Sequence, residues 1–130
     1  MQTYEQRIAA RAYELLYGTN QVNSEYVRII RWLPSMLSQA GCETTFQFLH
    51  DQIGSNARDE QVINLLCTHI TQMLDIEVNT PNVVDSIQIY LNQLSTDQYM
   101  QCVLRLYGVL VWLKRIAVAK VPQGQEHNDA

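Results

Sequence analysis

Residues 26–49 read YVRIIRWLPSMLSQAGCETTFQFL. Tyr26, Ile29, Ile30, Leu33, Met36 and Leu37 recur every three or four positions, the spacing of one apolar helix face. Ser24 stands where an N-cap belongs, and Glu25 follows in the first turn, where the helix dipole favours an anion. Pro34 interrupts the run. It has no amide hydrogen, and its ring collides with the preceding turn. It also pushes Leu33 away from helical geometry. Either the helix kinks, or one short helix ends and Pro34 opens the next at its first position, where no N–H is needed. The second reading is the one adopted. Gly41 suits a left-handed cap. Phe46, Leu49 and Ile53 then carry a further helix from about Glu43 to Ile53, which Gly54 ends.

The same periodicity extends outward in both directions. Residues 3–17 set Ile8, Ala12, Leu15 and Leu16 on one side and Arg7, Arg11 and Glu14 on the other. Gly18 stops that helix, and residues 19–23 form a polar loop. Ser55 or Asn56 caps a segment carrying Val62, Ile63, Leu66, Ile70, Met73 and Leu74. Thr80-Pro81 is a cap followed by a first-position proline, and it starts a helix with Val84, Ile87, Tyr90, Leu91 and Leu94. Ser95 caps the longest segment, about Thr96 to Val118, whose stripe runs through Tyr99, Cys102, Val103, Leu106, Leu110, Leu113, Ile116 and Ala117. No segment alternates with period two. The sequence predicts an all-α protein, a single compact bundle-like domain of about six helices over residues 1–121. Residues 122–130 are polar and predict a flexible C-terminal tail.

Composition narrows the function. The chain has 130 residues, enough for one core, and 47% of them are apolar, too many for a disordered chain. The longest apolar run, Gly108–Leu113, is far short of a membrane span. No basic region leads into an apolar stretch at the N-terminus, so no secretory signal is read. Cys42, Cys67 and Cys102 are odd in number and widely spaced, which fits buried thiols in a reducing compartment. A soluble cytoplasmic protein without a membrane partner is expected. With 13 acidic against 9 basic side chains and a net charge of −4, any hold on nucleic acid must come from a local patch inside a larger assembly.

Cys42, His50, Cys67 and His69 match no zinc spacing, so no metal site is expected. There is no glycine-rich phosphate loop and no nucleophile with a base and an orienting group. We expect no catalytic residues, no cofactor and no small-molecule substrate. The basic faces are more informative. Arg28, Arg31 and Trp32 point away from the Ile30/Leu33/Leu37 face. Arg105, Trp112 and Arg115 share a face with Gly108 and Ala119, and Lys114 and Lys120 add charge at that end. Arg7 and Arg11 form a third pair. Guanidinium groups beside indoles suit phosphates and unpaired bases. The same residue types dominate protein interfaces. A solvated face with snorkelling arginines is the plain alternative.

Three stretches resemble one family. Leu33-Pro34-Ser35-Met36-Leu37, then Gly41, then Thr45-Phe46-Gln47-Phe48-Leu49, is similar to its LP-x-M/L-I/L, NG-L and T-L-A-F-L signature. Tyr4 to Tyr13 resembles its opening helix. Tyr107 through Val111-Trp112-Leu113-Lys114-Arg115-Ile116-Ala117 resembles its closing Y…W-L-K-R-F-A. Ala40 and Cys42 depart from the usual asparagine and leucine around the glycine, and residues 55–94 carry no distinctive match. The family is the small subunit of the type III-B CRISPR effector, the fifth protein of the Cmr complex. The resemblance implies a non-catalytic helical subunit of an antiviral, RNA-targeting complex. Its partners would be copies of itself, RAMP-type backbone subunits and other Cmr proteins, and the crRNA–target RNA duplex. The family fixes RNA contacts by motif only around Lys114-Arg115. The candidate RNA-binding residues are Arg28, Arg31, Trp32, Arg105, Trp112, Lys114, Arg115 and Lys120. A protein–protein interaction module or adaptor with no nucleic-acid role is the alternative.

Overall fold

A computed structural model describes residues 2–55 and 57–121. The expected tail at 122–130 and the candidate cap Asn56 lie outside the described residues. Among the described residues seven helices follow one another: α1 Tyr4–Tyr17, α2 Ser24–Ile30, α3 Leu33–Ala40, α4 Cys42–Ile53, α5 Ala57–Leu74, α6 Val83–Asn92 and α7 Thr96–Lys120. Among the described residues there is no strand, and the chain is all-α as read. The second patterned segment divides at Pro34, which makes seven helices from six apolar patterns.

The break at Pro34 has a simple cause. Arg31 N donates to Val27 O at 3.0 Å, and the ladder resumes only with Met36 N to Trp32 O at 3.0 Å. Pro34 sits in the first turn of α3, among the amides that have no partner inside the helix anyway. Further along, Gly41 joins two helices by itself. Its N–H closes α3 on Leu37 O and its carbonyl accepts from Thr45 N, both at 3.1 Å. The Thr45 hydroxyl reinforces that carbonyl at 2.8 Å. Gly41 has φ 94° and ψ 167°, a region beyond the left-handed helix and essentially closed to other residues. An added Cβ would meet nothing within 4 Å, so the obstacle is backbone strain alone. Gly41→Ala is expected to lower stability by ~1–3 kcal/mol, read as a shift of the urea midpoint at unchanged slope.

Caps fix the other ends, sometimes one or two residues from where the sequence places them. Thr3 and Gln6 form a capping box on α1, and Ser95 and Gln98 do the same for α7. Asn23, not Ser24, caps α2, its Oδ1 accepting from Tyr26 N at 3.1 Å, because Asn23 is the last residue in extended geometry. The helix expected from Thr80-Pro81 begins at Val83. Its Val83 N–H is taken by the Asn64 Oδ1 of α5 at 3.1 Å. The Thr80 hydroxyl is bound instead to Asn82 O and Ser86 Oγ, each at 2.6 Å.

α5 and α7 form the centre. α7 packs against α1, α2, α3 and α5, while α5 also holds α4 and α6. Tyr26, Phe46, Leu66, Ile70, Leu106 and Leu110 are all buried in the core. α1 lies parallel to α7, since Tyr4 meets Arg105 near its start and Leu16 meets Lys120 near its end. That alignment decides which side chains share the surface described next.

Candidate functional site

The two arginine–tryptophan sets have different surroundings. On α2, the Arg28 guanidinium reaches Glu25 at 3.0 Å and Asp59 of α5 at 3.1 Å. Arg58 stands 4.0 Å from the same Glu25. Arg28 therefore clamps α2 to α5, and its charge is balanced by two carboxylates. Trp32 is half-buried, with its ring edge-on to Phe48 of α4 at 4.8 Å. Arg31 is exposed at the end of α2. The face read as basic is thus a mixed-charge seam over a small cavity of about 30 Å³ between Trp32, Phe48 and Arg28.

The α7 set is built differently. The Arg115 guanidinium lies over the Trp112 ring at 4.9 Å, a stacked cation with its edge open to a ligand. Arg105 donates from Nε to the Tyr4 hydroxyl at 3.4 Å. Between α1 and α7 opens a groove of about 260 Å³, walled by Tyr4, Ile8, Tyr107, Val111, Trp112 and Arg115. Gly108 is its notch, where an added Cβ would touch nothing within 4 Å. Lys114 is half-buried on the same helix. Lys120 is engaged inside the fold. Its ammonium donates to Leu16 O at 2.6 Å and to Thr19 O, and lies 5.4 Å from the Tyr17 ring centre. It caps the carbonyl end of α1 from the end of α7. The structure thus brings Trp112 and Arg115 to one groove, which Glu5 also lines, holds Arg105 against the Tyr4 hydroxyl at its wall, and leaves Arg28 and Lys120 in structural contacts.

Residues that sequence reading passed over also lie here. Tyr4 and Ile8 enter the groove only because α1 runs parallel to α7. Met100, Leu104 and Tyr107 are 61%, 75% and 45% exposed, so the long helix carries a second apolar stripe opposite its core stripe. Their i, i+4, i+7 spacing was readable, but it blends with the buried stripe in sequence.

Among the described residues no buried side-chain nitrogen or oxygen lacks a hydrogen-bond partner. The Tyr26 hydroxyl and His69 Nδ1 lie 2.8 Å apart in the core. Burial, with a smaller effect of the Lys120 charge, brings His69 down to about 4. Burial likewise raises the Cys67 thiol to about 12 and the Cys42 thiol to about 11. Among the described residues no group of three or more His, Cys, Asp or Glu could hold a metal ion. No helix among them is long and apolar enough to cross a membrane.

What fold and surface define is a small all-α protein that presents aromatic and arginine side chains on one helix pair. Residues 4–120 match the family model described as CRISPR-associated protein (Cas_Cmr5). The chain belongs to the Cmr5 family, the small subunit of the type III-B CRISPR Cmr complex. Its fold is similar to the crystal structure of a CRISPR-associated Cmr5 family protein from Thermus thermophilus, with a TM-score of 0.72 and 20% identity over 93% of this chain and 100% of that one. No curated protein matches the chain.

Proposed function

We propose that the chain is a non-catalytic filament subunit of a cytoplasmic, RNA-guided antiviral effector. In this reading it stacks with copies of itself and with RAMP-type backbone subunits and helps hold the guide–target RNA duplex. Membership of the Cmr5 family over residues 4–120 carries the reading. The surface supports a division of labour. Arg115 over the Trp112 ring offers a guanidinium and an indole together, a pair suited to a phosphate or an unpaired base, and Arg105 and Lys114 add positive charge elsewhere on the same helix. The net charge of −4 fits a subunit whose partners supply most of the positive field.

The reading is tested in the reconstituted complex. Arg105→Ala with Arg115→Ala is expected to weaken target-RNA binding about tenfold and flatten its salt dependence, with assembly intact. Normal RNA affinity in a fully assembled variant would remove the α7 face from the RNA groove. Arg31→Ala is the companion on α2. Arg28→Ala is a poorer probe, because it leaves the largely buried Asp59 carboxylate without its α5–α2 clamp.

A further inference from the structure

We propose that two free copies of this chain pair through α7, antiparallel, each seating its exposed aliphatic ridge in the other's α1–α7 groove. The ridge and the groove lie on one helix. At 100° per residue Met100, Leu104, Tyr107 and Val111 fall within about 60° of one another. Met100 and Leu104 stand beyond the start of α1 and are the most exposed large apolar side chains of the described residues. Tyr107, Val111 and Trp112 lie beside α1 and wall the groove, with the Gly108 notch between them. A contiguous exposed apolar surface of this kind marks a contact site. Leucine and methionine are poor partners for phosphate, which makes this ridge a protein contact.

The occupant follows from how the helix complements itself. An antiparallel pairing centred between Arg105 and Leu106 sets Met100 opposite the partner's Val111. It sets Leu104 opposite the partner's Tyr107 and Gly108, where the missing Cβ leaves room for a leucine. Asp97, in the first turn of α7, then faces the partner's Lys114 and Arg115. Every apolar position meets an apolar one, and each acid meets two bases. Helix dipoles also oppose in this arrangement. A symmetric parallel pairing, each position on its own copy, also sets apolar on apolar, but it puts Asp97 against the partner's Asp97 and Lys114 and Arg115 against the partner's same bases, and it aligns the dipoles. The antiparallel contact is isologous and closes after two copies, unlike the head-to-tail stacking of a filament. It also covers Trp112 and Arg115, so the pair is a state of the free chain alternative to the assembled one. The inference stands on the isolated chain and does not depend on the effector reading.

Sedimentation equilibrium of the full chain, without RNA, tests it across the micromolar range. A monomer–dimer equilibrium with a Kd on the order of micromolar is expected, since the contact is small. Leu104→Glu changes only an exposed side chain and is expected to weaken pairing more than about thirtyfold by burying an unpaired charge. Gly108→Met, which fills the notch, is expected to do the same. Geometry is read by oxidising a mixture of Leu104→Cys and Tyr107→Cys chains, since the native cysteines are buried. Mixed dimers in excess over either self-dimer are expected. A chain that stays monomeric, that polymerises without limit, or whose dimer survives both Leu104→Glu and Gly108→Met overturns the proposal.

Discussion

Acidifying the protein from pH 7 to pH 4 is expected to remove about 3 kcal/mol of folding stability through one side chain, His69. His69 is only 3% exposed and its Nδ1 lies 2.8 Å from the Tyr26 hydroxyl, in the core between α2 and α5. Its folded pKa of about 4 lies below the ordinary 6.5, first because burial disfavours the imidazolium and second because Lys120 is nearby. Above pH 6.5 the ring is neutral in both states, and the contribution is fully present. Below that the unfolded chain takes a proton that the folded chain refuses. Stability falls by about 1.4 kcal/mol per pH unit until the folded ring protonates near pH 4. The check compares urea midpoints of the native chain and His69→Gln at pH 7 and pH 5. His69→Gln costs stability at pH 7, because the Tyr26 partner changes. Its pH slope between the two values is expected to be shallower by about one proton. An unchanged slope would put the lost stability on other groups.

The local features of the fold could be read in the chain because they depend on residues a few positions apart. Pro34 and Gly41 act on their own backbone, and the Ser95 cap spans one turn. So the helices, the break between α2 and α3, and the hinge at Gly41 were all legible. Contacts that join distant segments were not. Asp59 balances Arg28 from another helix, and Asn64 caps α6 from across the α5–α6 packing. Both alter the meaning of residues whose sequence neighbours say nothing of them. The basic faces show this best. Arg28 and Arg115 are each about one turn from a tryptophan in sequence. One lies between two carboxylates, and the other stacks on the indole beside an open groove. Which is which depends on the placement of α5 against α2 and of α1 along α7. No periodicity encodes that.

Phe46→Ala is expected to destabilise the domain by ~3–5 kcal/mol, while Phe48→Ala, two residues on, costs about 1 kcal/mol. Two residues along a helix turn a side chain by about 200°, so the two rings face opposite ways. Phe46 is 1% exposed. It lies on α4, which packs against α3, α5 and α6, and truncating it leaves a void that three helices would have to close. Gly41 fixes the start of α4, and Arg28 and Asn64 hold α5 in place, so the walls have little freedom to collapse. The penalty should sit at the high end for that reason. Phe48 is half-buried and meets Trp32 edge-on, so its removal loses one aromatic pair and some covered surface. A domain of this size has ~5–15 kcal/mol in all. Phe46→Ala should therefore show a markedly lower melting temperature and reduced recovery in the assembled complex. Phe48→Ala should fold normally while exposing Trp32, seen as a red shift of its fluorescence. Equal losses from the two substitutions would mean that α4 does not turn the Phe46 side into the core.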